Sequence, residues 1–307
     1  MRYRPYAIIA GFLILYAGVA YRTPYGGWDA FAIWNATARL IIYHDPMTVF
    51  QLSGMNHKDY PPLLPLTISY GFRVFGDNVL VPIILHGLLF AAVLYLIRKP
   101  TWLQAVTGII ILPYAASQFA DLPLALAFLC AAVAYRHNKP LWVGAALGIA
   151  VLVKNEGALI ALSFFAVWII GNRRIPWKAI AAFAPFAVCL LLFRVVVNIP
   201  NDVVGATGIL QRLTDFSRYA VMLPLLLQGI ITFGGGGLAL LVVIIILRRE
   251  QLCINVPQIA AGVVLAGYIG TYAITPYDVT WHIVNSFDRL LLHLLPVTLY
   301  SIVQCSN

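Results

Sequence analysis

Charge is scarce in this sequence. Charged residues fill 10% of its 307 positions, against about 25% in an ordinary soluble chain. That shortage excludes a soluble globular domain and a disordered chain alike, because both keep more charge in contact with water. Cysteine is scarce too. Cys130, Cys189, Cys253 and Cys305 form no CxxC pair, and three of them sit in or beside apolar runs. A disulfide framework and a zinc site are therefore not expected. The run Gly234-Gly235-Gly236-Gly237 lacks the Lys-Ser/Thr that would make it a phosphate loop. No HExxH helix, Cys/His ligand pair or GxSxG elbow is present. No inverted repeat of the kind found in many transporters stands out. No basic stretch lies away from the ends of the apolar runs, which argues against nucleic-acid binding.

What the chain has instead is apolar length. It is 62% hydrophobic, with a mean hydropathy of +0.88. A bilayer core takes roughly 20 residues per helical span, so the length suits about ten spans. The apolar runs are 6–20, 79–97, 101–118, 122–135, 141–153, 157–171, 178–197, 219–247, 256–274 and 287–303. The expectation is an all-α, polytopic, single-domain membrane protein over 1–307, with no soluble C-terminal domain. Arg2 and Arg4 precede the first run, which reads as an uncleaved first span. Pro224 and the glycine run are expected to break 219–247 into a kinked span or a half-helix plus a span. Residues 28–43 and 61–76 are apolar but carry polar residues at intervals. They are expected to be helices lying along the interface in a first outer loop of about residues 21–78.

Charge fixes the orientation. With the N-terminus in the cytoplasm, the inner loops collect Arg2, Arg4, Arg98, Lys99, Arg136, Lys139, Arg173, Arg174, Lys178, Arg248 and Arg249, and among the acids only Glu250. The outer side receives Asp29, Asp45, Asp59, Asp77, Asp121, Glu156, Asp202, Asp215, Asp278 and Asp288. This satisfies the positive-inside rule at every loop and places both ends inside. The inner loops are then short basic anchors, and the chemically varied residues face outward.

Five polar constellations punctuate the outer side. The first is Trp28-Asp29, at the start of a helical stretch; Asp29 is either a helix N-terminal acid or a general base. The second is His57-Lys58-Asp59-Tyr60-Pro61-Pro62, where two prolines start a helix; it is either a plain capped helix start or a segment that holds Lys58 and Asp59 at the membrane surface to bind a phosphate, a metal or a sugar. The third is Ala120-Asp121-Leu122-Pro123-Leu124, whose plain reading is an Asp N-cap. The fourth, Lys154-Asn155-Glu156-Gly157, interrupts two apolar runs and is either a structural Lys–Glu pair or a substrate contact. The fifth, Trp281-His282 to Ser286 and Arg289-Leu290-Leu291, puts an arginine at the start of a span. That arginine either snorkels or binds a lipid phosphate with a forked donor.

These motifs, in this order over residues 28–296, resemble those of the GT-C superfamily of integral-membrane glycosyltransferases, near the protein mannosyltransferase and aminoarabinose transferase branch. The resemblance implies a GT-C-like fold and a polyprenyl-phosphate-linked sugar donor. It implies a glycan, lipid or protein acceptor, and chemistry on the non-cytoplasmic face of a prokaryotic inner membrane. Asp29 matches the acidic residue of the first outer loop that serves as catalytic base, and Asp121 matches a second acidic position. Lys58, Lys154, Arg218, His282 and Arg289 are the expected donor-phosphate cations. Trp28, Asp59, Tyr60, Glu156 and Trp281 are further substrate contacts. Relatives differ in metal use, so a divalent metal is a possible cofactor. Many relatives continue into a soluble domain where this chain stops at Asn307, which leaves acceptor selection open. The competing class is a membrane transporter or polyprenyl-lipid carrier, which should carry polar residues at mid-membrane; Arg194 is the main residue of that kind.

Overall fold

A computed structural model describes residues 3–52, 57–198, 207–248 and 254–305. The expected charges Arg2, Asp202, Arg249 and Glu250, and Cys253, lie outside the described residues. Among those described, every regular element is helical. The helices are α1 (Arg4–Arg22), a π-helical stretch (Ala30–Asn35), α2 (Ala36–Tyr43), α3 (Pro46–Gln51), α4 (Leu63–Phe75), α5 (Leu80–Leu96), α6 (Thr101–Ala116) and α7 (Asp121–Arg136). After them come α8 (Pro140–Val153), α9 (Glu156–Asn172), α10 (Trp177–Val197), α11 (Ile209–Thr214), α12 (Phe216–Thr232), α13 (Gly237–Arg248), α14 (Val256–Ile274) and α15 (Val279–Cys305).

A helix stands at the place of each apolar run. Three of them, α1, α10 and α14, are long and apolar enough to cross a membrane on their own. The pair α12–α13 would make a fourth, bent by 70°. Its break falls at Gly234–Gly236, all three at positive φ, whereas α12 continues as one helix through Pro224. The proline expected to help break this run therefore does not. Helices α5 to α9 hold 14 to 17 residues, or about 21–26 Å at 1.5 Å per residue. The last helix begins well before the expected residue 287, which carries Trp281 and His282 from a loop onto α15.

The surface is apolar and the interior holds charge. Leu162, Ile170, Leu191 and Val195 are among the many large aliphatic side chains turned outward. Asp59, Asp121, Lys154 and His293 are buried. This inversion suits a lipid surround, where apolar side chains gain little by hiding and polar ones gain much. In that setting helices associate by close packing, which small residues permit. Gly144 and Gly148, four apart on α8, do this against α10: a Cβ on Gly144 would lie 2.0 Å from the Ala179 carbonyl oxygen.

Short turns make α7, α8 and α9 alternate in direction. Asp121, Lys154 and Glu156 consequently meet at one end of the bundle, while Arg136, Lys139 and Arg174 meet at the other. The first loop folds over the carboxylate end. Arg39 pairs with Asp77 at 2.8 Å, and Asn35 donates to the Gln118 side chain at 3.1 Å. The π-helical stretch buries Ile33 and Trp34, and α2 packs along α4.

Candidate active site

The frame of the site is a pair of antiparallel helices. On α15, His282, Ser286, Arg289 and His293 recur at intervals of four, three and four, which places them on one stripe. Tyr268 and Tyr272 on α14, with Thr275 just past its end, form a matching stripe. The two interlock rung by rung. The Thr275 hydroxyl lies 2.8 Å from His282 Nδ1, the Tyr272 hydroxyl 2.7 Å from Ser286 Oγ, and the Tyr268 hydroxyl 2.8 Å from His293 Nδ1.

Two members of the α15 stripe each hold a carboxylate. Arg289 donates to Asp29, forming an ion pair between residues 260 positions apart. One turn further, His293 Nε2 lies 2.7 Å from Asp121 Oδ1. A carboxylate only accepts, so Nε2 carries a proton; in the neutral imidazole Nδ1 then accepts from the Tyr268 hydroxyl. This network assigns the tautomer. Asp121 Oδ1 also takes a hydrogen bond from Lys154 Nζ at 2.9 Å, and Lys154 reaches Glu156 Oε1 at 3.0 Å. Burial by itself would lower the Lys154 pKa, but the Asp121 and Glu156 carboxylates outweigh it and hold the value above the ordinary lysine range. Next to this group, Asn155 Nδ2 donates to Asp59 Oδ2 at 2.6 Å, and Arg194 donates to the Asn155 side-chain Oδ1.

Local sequence explains these placements. Gly157 closes the turn after Lys154: its amide donates to the Lys154 carbonyl at 2.9 Å, and a Cβ there would lie 2.0 Å from the Ala150 carbonyl oxygen. Only glycine lets α9 start this close to the end of α8, and that proximity sets Lys154 beside Glu156. Asp29 is placed by its approach segment. The Gly27 amide donates to the Ser117 carbonyl at 2.9 Å, which docks the segment on the turn between α6 and α7. From that turn Phe119 faces the Arg289 guanidinium, 5.1 Å from ring centre to Cζ. The Tyr60 ring stacks on Trp34 at 5.2 Å and lies 5.9 Å from Lys154 Nζ, so it joins the two halves of the cluster.

No protein-family model, no curated protein and no solved structure matches this chain. The functional reading therefore stands on the residues themselves.

Seven of the expected site residues come together: Asp29, Asp59, Tyr60, Asp121, Lys154, Glu156 and Arg289. Arg218 and His282 stand at the far end of the α14–α15 ladder, where Arg218 donates to the Thr275 carbonyl at 2.9 Å. Trp28 and Trp281 are 62% and 58% exposed, and Trp281 lies against the His282 ring at 6.4 Å, away from the carboxylates. Lys58 is half-buried next to Asp59 and forms no ion pair among the described residues. Asp121 does not cap its helix, since its side chain is committed to Lys154 and His293. Asp29 does not stand alone at a helix start, because the half-buried Arg289 pairs with it. His293, Tyr268, Asn155 and Arg194 were not among the expected site residues. The signal for His293 was its spacing of four from Arg289. Among the described residues, no group of three or more His, Cys, Asp or Glu side chains is arranged to hold a metal ion.

Proposed function

We propose that this protein is a GT-C-type glycosyltransferase. It moves a sugar from a polyprenyl-phosphate donor to an acceptor hydroxyl at the non-cytoplasmic face of a prokaryotic inner membrane. The supporting observation is the Asp29–Arg289 pair, set at one end of an apolar helical bundle next to the Asp121–Lys154–His293 cluster. A base and a forked cation side by side are what transfer from a phosphate ester requires. The sidedness belongs to the same proposal: ten spans with both ends inside would put this cluster outside and the basic turns inside.

In this reading the acceptor oxygen attacks the anomeric carbon from the face opposite the phosphate. The new glycosidic bond forms, the bond from that carbon to the phosphate oxygen breaks, and the anomeric centre inverts. Asp29 takes the hydroxyl proton. The electron pair leaves on polyprenyl phosphate, whose developing charge Arg289 stabilises. Asp121, buried and paired twice, is a positioning residue that fixes Lys154 and His293. Arg289 is paired with Asp29. An incoming phosphate therefore competes with Asp29 for Arg289, and by winning it frees the base. Lys58, Lys154, Arg218 and His282 complete the proposed cation set.

The test is sugar transfer in reconstituted vesicles with a panel of radiolabelled polyprenyl-phosphate sugars. Transfer that Asp29→Asn abolishes supports the enzyme, and no transfer from any donor counts against it. The 70° break between α12 and α13 favours a second reading, since broken helices line the paths of many transporters. A transporter or lipid carrier would move labelled polyprenyl phosphate across the vesicle membrane without cleaving the sugar from it.

A further inference from the structure

A cavity of about 1090 Å³ lies at the end opposite the carboxylates. Its lining includes Arg136, Lys139, Arg174 and Lys178, and no acidic residue is among the lining residues. This contrasts with the other end, where Arg289 and Lys154 are each matched by a carboxylate. Three helices begin on the cavity wall: α8 at Pro140, α10 at Trp177 and α14 just after Asn255. The start of a helix carries roughly half a positive charge and exposes amide protons. Four full cations and three helix starts thus converge on one space, with no compensating anion among the described lining residues. One Arg136 nitrogen, Nη1, is buried and makes no hydrogen bond.

The walls add a second kind of information. Trp168 and Trp177 line the cavity beside the cations. Trp168 is held edge-on by Tyr135 at 5.0 Å, and the Tyr135 hydroxyl accepts from the Asn172 amide at 3.3 Å. Indole rings next to basic side chains are typical of the level at which lipid headgroups meet acyl chains. The space is also far larger than a single phosphate ion needs.

We propose that this cavity is a binding site for the phosphodiester headgroup of an anionic glycerophospholipid. The guanidiniums of Arg136 and Arg174 suit the phosphate oxygens as forked donors. Lys139 and Lys178 supply point charge from the two facing turns, and the tryptophans bracket the glycerol and upper acyl region. The site is independent of any glycosyl transfer at the opposite end.

Native mass spectrometry and thermal melting of the detergent-purified full chain test this. The probes are phosphatidylglycerol, phosphatidylcholine, glycerol phosphate and inorganic phosphate. Phosphatidylglycerol is expected to remain bound and to raise the melting temperature by several degrees, with phosphatidylcholine at least tenfold weaker. In Arg174→Gln/Lys178→Gln, phosphatidylglycerol binding should fall at least tenfold while the lipid-free melting temperature holds. Arg174→Lys/Lys178→Arg should restore most of it. Arg98→Gln, a basic residue outside the cavity, should leave binding unchanged. Equal retention of the two lipids, or equal losses in Arg98→Gln, would overturn the proposal. Should either soluble phosphate bind as tightly as the lipid, the site would belong to a free phosphate compound and the lipid assignment would fall. If Arg174→Gln/Lys178→Gln melts early without lipid, the Lys/Arg exchange variant decides alone: lost binding in that folded protein would also overturn the site.

Discussion

Asp29 carries most of the functional reading, and its pairing with Arg289 makes its substitution informative in two directions. Asn keeps the shape of the side chain but cannot accept a proton, so Asp29→Asn should lower sugar transfer by roughly 10²–10⁴-fold. The same change removes the competitor for Arg289. Polyprenyl phosphate should then bind more tightly to Asp29→Asn than to the unaltered protein, and less tightly to Arg289→Ala. Titration of a fluorescent polyprenyl phosphate distinguishes the two, and parallel losses would refute the competition. Asp45→Asn serves as the control, because Asp45 caps α3 through the Thr48 amide and asparagine caps about as well. Asp121 calls for a different experiment. Asp121→Ala leaves a buried lysine and histidine short of an acceptor, which should cost about 3–5 kcal/mol. Adding Lys154→Met should recover part of that loss in detergent melts, whereas simple additivity would mean the pair is not coupled. Lys154 also makes a statement about pH. Its folded pKa lies above the unfolded value, so its contribution is complete below about pH 10.4 and declines only above that. Melting curves should therefore show no Lys154-dependent change between about pH 6 and about pH 9.

At the scale of elements, the close approach of α8 to α10 makes the sharpest prediction. Gly144→Ala puts a methyl group into the Ala179 carbonyl, and should cost about 1–3 kcal/mol by forcing the helices apart. Loss of that amount in a detergent unfolding series would confirm the contact. Apolar runs made most helices readable in the sequence, since a lipid-facing helix needs apolar residues along its length. Element ends were readable where Pro or Gly stopped a run, as at Pro140 and Pro176. The start of α15 was not, because Trp281, His282, Asn285 and Ser286 resemble a polar loop when their partners on α14 are unknown. The broken span and its glycine break were readable, but the continuity of the helix through Pro224 was not, since a helix in lipid tolerates proline once its neighbours satisfy the freed carbonyl. The site was legible as motifs but not as pairs. Asp121 and Lys154 stood out separately, 33 positions apart, and nothing local links them. His293 lies in an apolar run, where a single histidine reads as core.

For the whole molecule, the separation of acidic and basic ends predicts a labelling pattern. Single cysteines at the exposed positions Lys99, Arg173 and Asp278, in a background with the native cysteines removed, should divide by side. Lys99→Cys and Arg173→Cys should react with an impermeant maleimide only from the cytoplasm, and Asp278→Cys only from outside. Reaction of Lys99→Cys from outside would overturn the ten-span orientation and would make residues 61–76 a true crossing.

The brevity of α7, α8 and α9 reaches beyond the protein to its solvent. Their ends carry Asp121, Lys154 and Glu156, so the height of the cluster is set by helices of about 21–26 Å, whereas a typical hydrocarbon layer is about 30 Å deep. Under the proposed ten-span topology the membrane would absorb the difference, dimpling around short helices at a fraction of a kcal/mol per ångström. A prenyl phosphate diffusing in the outer leaflet would therefore meet a local depression whose floor is this cluster. Its headgroup would descend with the leaflet instead of being pulled through oil. Matching acyl-chain length to the protein should remove the deformation, and transfer in vesicles of shorter-chain lipid should run faster than in thick ones.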